Sequence, residues 1–213
     1  MAHTRSLVFL RRHLGGPRFD REAVWEEHTR FEFAERSVAR TMATMVDEPY
    51  VIHVPTMIGG RGRSQLTAFY RDHFIFSNPP DTEMESISRT VGPDRVVDEF
   101  IFRCTHTAPI PWMLPHVRPT HRRLAIPMVA VVNIRGDRLC HEHIWWDQAT
   151  ALRQAGLLPT HLPAPDAGGG AAPPPTTAPA MTRLPVVGAE CARLLAGDAR
   201  AACNELLDPA WPT

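Results

Sequence analysis

At 213 residues, with 44% hydrophobic and 22% charged residues, the chain has the make-up of an ordinary globular protein, most simply one domain with a tail. Its 23 basic residues are matched by 23 acidic ones. There is no basic excess or stripe of the kind that nucleic acid or an anionic membrane needs, so neither partner is expected. Cys104, Cys140, Cys191 and Cys203 show no CxxC and no zinc-ligand spacing and read as reduced thiols of a cytoplasmic protein. The opening Ser6-Leu-Val-Phe-Leu10 runs into Arg11 and Arg12 too soon for a signal segment or a membrane span.

Asp20 suits a helix N-cap, and Glu22, Glu26 and Glu27 sit where a helix dipole favours anions. Val24, Phe31, Ala34, Val38, Met42 and Met45 then make an apolar stripe, which predicts one long amphipathic helix. Tyr50-Val-Ile-His-Val-Pro55 reads as a short strand, and residues 57–62, with three glycines, as a turn or loop. That loop lacks the P-loop lysine, so it is a pocket rim rather than a phosphate site. Leu66, Phe69, Tyr70, His73 and Phe74 fit a second helix over 63–76. Strands are predicted at 83–91, 95–107 and 122–135, and the four prolines between Ala108 and Thr120 make that stretch an irregular excursion. Gly136-Asp137 suits a tight hairpin into a last strand.

In that last strand, alternation puts His141, His143, Trp145 and Asp147 on one face and Cys140, Glu142, Ile144 and Trp146 on the other. The imidazoles, indole and carboxylate mark the first face as a pocket lining. On the 95–107 strand Glu99 and Arg103 share a face, and parity alone leaves open whether it points inward. Residues 159–185, rich in Pro, Ala, Gly and Thr, read as a linker or extended arm, and 186–213 as a helical tail that is too short to carry its own core.

The order of Tyr50-Val-Ile-His-Val-Pro55, Gly62 before a helix, Thr105-His106, Pro119-Thr120, His143 through Asp147, and Gln154-Ala-Gly-Leu157 resembles the SnoaL-like polyketide cyclase branch of the nuclear-transport-factor-2-like superfamily. The resemblance covers residues 20 to 158 and implies an α+β fold for residues 1–158. A curved antiparallel sheet would wrap N-terminal helices into a cone around an apolar pocket, followed by the proline-rich C-terminal arm, with a homodimer formed through the outer sheet face. It also implies a hydrophobic, carbonyl-bearing substrate handled without metal or cofactor.

In such enzymes a pocket acid/base moves a proton beside a carbonyl, and an apolar cavity raises a carboxyl pKa toward the working pH. The matching acid/base is Asp147, which could equally cap the helix after it. His53 and His143 are its electrostatic partners, and Trp145, Glu99, His106, His28, Tyr70, Phe74 and Trp112 are candidate substrate contacts. Trp112 could be a lid or simply a packed loop. His28 and Glu32 lie one helical turn apart with Glu35 on the same flank, and with His53 or His106 they could ligate a metal. Such pairs are commonplace on solvated helix edges, so no metal is expected. Cyclisation, isomerisation or a related lyase step is the leading reading. The alternatives are epoxide opening by Asp147 with Glu99, and a non-catalytic ligand-binding or dimerisation module.

Overall fold

The computed structural model describes residues 2–164 and 181–207. Helix α1 (Ala2–Leu14) leads to α2 (Arg21–Thr29), whose N-cap is Asp20, its carboxylate accepting from the amide of Ala23. The long helix expected after Asp20 is broken. After α2 the backbone widens into a π turn over Arg30–Ala34, closed by the Glu35 amide on the Arg30 carbonyl at 2.9 Å, and Arg36 then takes a positive φ of 50°. The chain restarts as α3 (Val38–Ala43), capped by Ser37. The apolar stripe continues across the break because both pieces pack on the same sheet, which is why periodicity alone does not reveal it.

Strand β1 (Met45–His53) pairs with β2 (Ile58–Arg61), so part of the expected 57–62 loop is a short strand. Gly59 makes that possible: at φ 154°, a Cβ there would lie 1.9 Å from the Val51 carbonyl oxygen. Helix α4 (Gly62–Phe69) also ends in a π turn, over Tyr70–Phe74. Strands β3 (Glu83–Val91), β4 (Arg95–Thr105), β5 (Arg123–Arg135) and β6 (Arg138–Trp146) complete a curved six-stranded sheet in the order β2-β1-β6-β5-β4-β3. All neighbours are antiparallel except β1 with β6, which run parallel, so the sheet is mixed rather than a pure meander. Gly136, at φ 66°, occupies the first central position of the two-residue β5–β6 hairpin. Register shifts between Met45 and Tyr50, Ser86 and Ser88, and Asn133 and Ile134 bend the sheet, as bulges do.

The inner face of β5 fixes which side of the sheet is core: Leu124, Ile126, Met128, Ala130, Val132 and Ile134 are all buried. Directly opposed residues share a face, so Met128 opposite Trp146, Ala130 opposite Ile144 and Val132 opposite Glu142 bring Glu142, Ile144 and Trp146 inward. The proline-rich excursion plugs the structure instead of hanging over it. Ile110, Trp112, Met113 and Leu114 are buried, and the Trp112 indole donates to Asn78 Oδ1 at 3.0 Å.

Beyond α5 (Gln148–Gln154), short strands β7 (His161–Pro163) and β8 (Met181–Arg183) pair with each other. The expected helical tail is shorter than its composition suggests: α6 spans Glu190–Leu195 and ends where Gly197 adopts φ 86° and the Asp198 amide bonds back to the Arg193 carbonyl. Gln154 Nε2 donates to the Gly188 carbonyl at 3.2 Å and Ala192 is fully buried, so this part of the tail lies against the main domain. The rest of the expected linker and tail, residues 165–180 and 208–213, lies outside the described residues. Among the described residues no helix is long and apolar enough to cross a membrane.

Candidate active site

Inside the cone, α2, its π turn, β1, the π turn that follows α4, Trp112 and the inner faces of β4, β5 and β6 line a cavity of about 30 Å³. Its walls are largely aromatic, with Trp25, Phe74, Phe100 and Trp112 among them, and its polar groups include Glu32, His53, Tyr70 and Glu142. That volume holds one or two waters.

At one wall three elements converge. His28, near the end of α2, is fully buried and its Nε2 stands 3.1 Å from Glu32 Oε1 and 3.1 Å from Glu142 Oε1. The π turn places Glu32 one turn beyond His28, and β6 carries Glu142 across from it. The Tyr70 hydroxyl lies 3.4 Å from His28 Nε2 and 3.5 Å from Glu142 Oε1. Outside this group, Thr44 sets the imidazole's orientation. Its hydroxyl donates to the Thr41 carbonyl at 2.7 Å and so must accept, at 2.6 Å, from His28 Nδ1–H. Nε2 is thereby turned toward the two carboxylates.

The electrostatics follow from burial. Desolvation pulls the His28 pKa down, but Glu32 and Glu142 together outweigh it and hold the imidazole charged above its usual range. Burial raises the Glu32 carboxyl, against the pull of His28. Tyr70 is raised well above a free phenol by burial and then by both carboxylates. Two carboxylates on one imidazolium would leave a net negative charge in a dry site, which costs several kcal/mol by order of magnitude. One further proton on a carboxyl removes that charge and leaves a carboxylic acid beside a carboxylate.

His53 is a separate group on the same cavity. Its Nδ1–H donates to the Ile58 carbonyl at 3.1 Å, and its ring packs against Trp112, Phe74 and Phe69 with centroids 4.9, 5.4 and 5.5 Å away. Desolvation lowers its pKa to about 4, so the ring is neutral near pH 7 and Nε2 is an acceptor.

The other expected site residues lie elsewhere. Asp147 caps α5: its carboxylate accepts from the amides of Ala149 and Thr150 at 3.3 and 2.9 Å and from the Thr150 hydroxyl at 2.5 Å, and the residue is exposed. His143 and Trp145 are on the outer sheet face, where His143 Nε2 meets the Tyr50 hydroxyl at 2.9 Å and Trp145 is 49% exposed. Alternation groups these residues on one face correctly, but the face is the outer one. Ile144 and Trp146 follow the apolar side of β5 into the core and carry Glu142 with them.

Glu99 also faces outward, accepting from the Ser88 hydroxyl at 2.8 Å, while Arg103 pairs with Glu85 on β3 rather than with Glu99. The buried carboxylate of that strand is Asp98, which accepts from the Trp25 indole at 2.8 Å and from Arg89. His106 is buried but off the cavity, its Nδ1 accepting from the Thr120 amide and hydroxyl and so closing the base of the 106–122 loop. Glu35 is paired with Arg30 and Arg40. Tyr70, Phe74 and Trp112 line the cavity, and His28 backs it. Cys104, with its thiol pushed up to about 12 by burial and by Asp81, is no nucleophile.

Glu142 is the principal residue that sequence reasoning misses. The signal is present: a carboxylate flanked two residues to either side by Cys140 and Ile144 sits on the apolar face of its strand.

A bent sheet closed on helices, with an ionisable cluster inside it, defines the cone-shaped α+β class of nuclear-transport-factor-2-like and ketosteroid-isomerase-like proteins. Residues 27–155, more than half of the chain, match the SnoaL-like polyketide cyclase family, and the chain belongs to it. Similar solved structures include a ketosteroid-isomerase-like protein from Catenulispora acidiphila in complex with trimethylamine, at 12% identity, covering 64% of this chain and 93% of that one with a TM-score of 0.50. A candidate polyketide cyclase from Acidithiobacillus ferrooxidans is 19% identical, covering 62% and 94% of the two chains, also with a TM-score of 0.50. None of the curated proteins matches the sequence.

Proposed function

We propose that the chain is a cyclase or isomerase that moves a proton beside the carbonyl of a compact, apolar small molecule by general acid/base chemistry, with Glu142 and Glu32 as the acid/base pair. The observation that carries this reading is the placement of two buried carboxylates on one imidazole at the wall of an aromatic cavity. Such a pair supplies both halves of an enolisation. The ionised carboxylate takes the proton from the carbon beside the carbonyl, and the protonated one, or Tyr70, donates to the developing oxyanion. His28 holds the pair in register, and the bare Nε2 of His53 accepts a hydrogen bond from a substrate hydroxyl. The cavity of about 30 Å³ is smaller than any ring-forming substrate, so binding one requires its walls to open.

The test is α-proton exchange of small cyclic ketones in D2O, followed by NMR. Exchange that is accelerated by the wild-type protein and lost in Glu142→Gln supports the reading. Equal exchange in both proteins, or none in the wild type across a panel of ketones, defeats it.

The same geometry favours a second reading. Room for one or two waters beside two carboxylates suits epoxide opening, in which one carboxylate activates water and the other protonates the epoxide oxygen. The pair is Glu32 and Glu142, not Asp147 and Glu99, which both face solvent. Turnover of small epoxides with ketone exchange absent selects this reading over the first.

A further inference from the structure

Every group around His28 that could satisfy a proton on Nε2 could also satisfy a metal ion. A buried imidazole with its Nδ1–H given to a fixed acceptor, and its Nε2 directed between two carboxylates, is the arrangement that metal-binding histidines adopt. Here the fixed acceptor is Thr44, itself held by the Thr41 carbonyl, so the orientation is imposed from outside the cluster. The two Nε2-to-oxygen separations of 3.1 Å fall in the range of about 2.9–3.4 Å between neighbouring ligands of an ion with bonds near 2.0–2.1 Å.

All three ligand atoms lie within 4.8 Å of one another and all three residues are buried, unlike the solvated helix edge that His28 and Glu32 suggest in the sequence. Two carboxylates and a neutral imidazole cancel a dipositive charge, which answers the desolvation problem without any added proton. Glu32 and Glu142 also border the cavity, whose volume matches one or two waters as the remaining ligands.

We infer that His28, Glu32 and Glu142 form a binding site for a divalent first-row transition ion, with Zn2+ favoured by the nitrogen and oxygen ligand set and a water completing the coordination from the cavity. This goes beyond the acid/base reading, since the ion replaces the protons which that reading places on the same three groups. Thr44 is a positioning residue for the site.

The experiment loads the full-length protein with Zn2+, removes free ion by dialysis, and measures retained metal by mass spectrometry. The wild type is expected to keep about one ion per chain, Glu32→Gln and Glu142→Gln to lose it, and Thr44→Val to bind about ten- to a hundredfold more weakly with the same fold. Retention of a small fraction of an equivalent by the wild type overturns the inference, as does undiminished retention in the Glu32→Gln/Glu142→Gln double variant. Should the variants fail to fold, Co2+ added to the wild type decides: a visible d–d spectrum of a low-coordinate site that Zn2+ bleaches supports the site, and a hexaaqua-like spectrum overturns it. Ketone exchange measured in parallel with a chelator separates the two claims. Exchange without metal binding removes only the ion, and metal binding without exchange removes only the acid/base reading.

Discussion

Asp147 gives the sharpest contrast between a residue that holds the fold and one that does chemistry. Replacing it by alanine leaves the amides of Ala149 and Thr150 and the Thr150 hydroxyl without their acceptor. Loss of an Asp cap costs about 0.5–2 kcal/mol. Here two amides and a hydroxyl are released, yet the site is exposed and water takes up part of the loss, which places the cost near 1–1.5 kcal/mol. In a chain of this size each kcal/mol moves the melting temperature by about 2–4 °C, so Asp147→Ala should melt about 2–6 °C below the wild type. Its activity at a temperature where both proteins are folded should be unchanged. Urea unfolding monitored by circular dichroism gives the stability difference, and ketone exchange gives the activity. An Asp147→Ala protein with wild-type stability and lost activity would refute both the capping role and the placement of the site in the cone.

The geometry sets three further outcomes. Because His53 is held at a pKa of about 4 against 6.5 for a free imidazole, the unfolded chain binds a proton that the folded one refuses; its contribution is intact above pH 6.5 and is lost as pH falls toward 4, by at most about 3 kcal/mol. Urea midpoints across that window should fall less steeply in His53→Gln than in the wild type, and equal slopes would remove His53 as the cause. Trp112→Ala should cost about 3–5 kcal/mol while enlarging the cavity, so that an added small aromatic such as indole raises its melting temperature more than the wild type's; no such rescue would show that the space collapses. Gly59→Ala should destabilise by several kcal/mol through the Cβ that would meet the Val51 carbonyl, read as lost amide protection over β1 and β2; an unperturbed exchange pattern would contradict the close approach.

How much of the fold and site is legible in the sequence depends on whether the signal is local. The limits of β3, the Gly136 hairpin and the Asp20 cap are written in neighbouring residues, and the order of motifs carries the cone fold. The face of β6 is not local. His141, His143 and Trp145 look like a pocket lining until β5 is laid beside them, and only then does the apolar row from Leu124 to Ile134 assign the inside. The His28–Glu32 pair is visible, but its third member lies on a strand 110 residues later, and helical spacing cannot distinguish a solvated edge from a buried one. The π turns are invisible because they preserve the apolar stripe while shifting the residues beyond them, and it is one of them that delivers Glu32 to the cavity. Asp147 illustrates the converse error: a residue type suited both to chemistry and to capping, whose local context favours the cap.

The most direct measurement compares Glu142→Gln with Asp147→Asn in the α-proton exchange assay, each checked for native circular dichroism. Asp147→Asn should exchange protons at the wild-type rate while Glu142→Gln falls by about a hundredfold or more. The opposite pattern, with exchange lost in Asp147→Asn and retained in Glu142→Gln, would place the chemistry outside the cone and contradict the role given to Glu142.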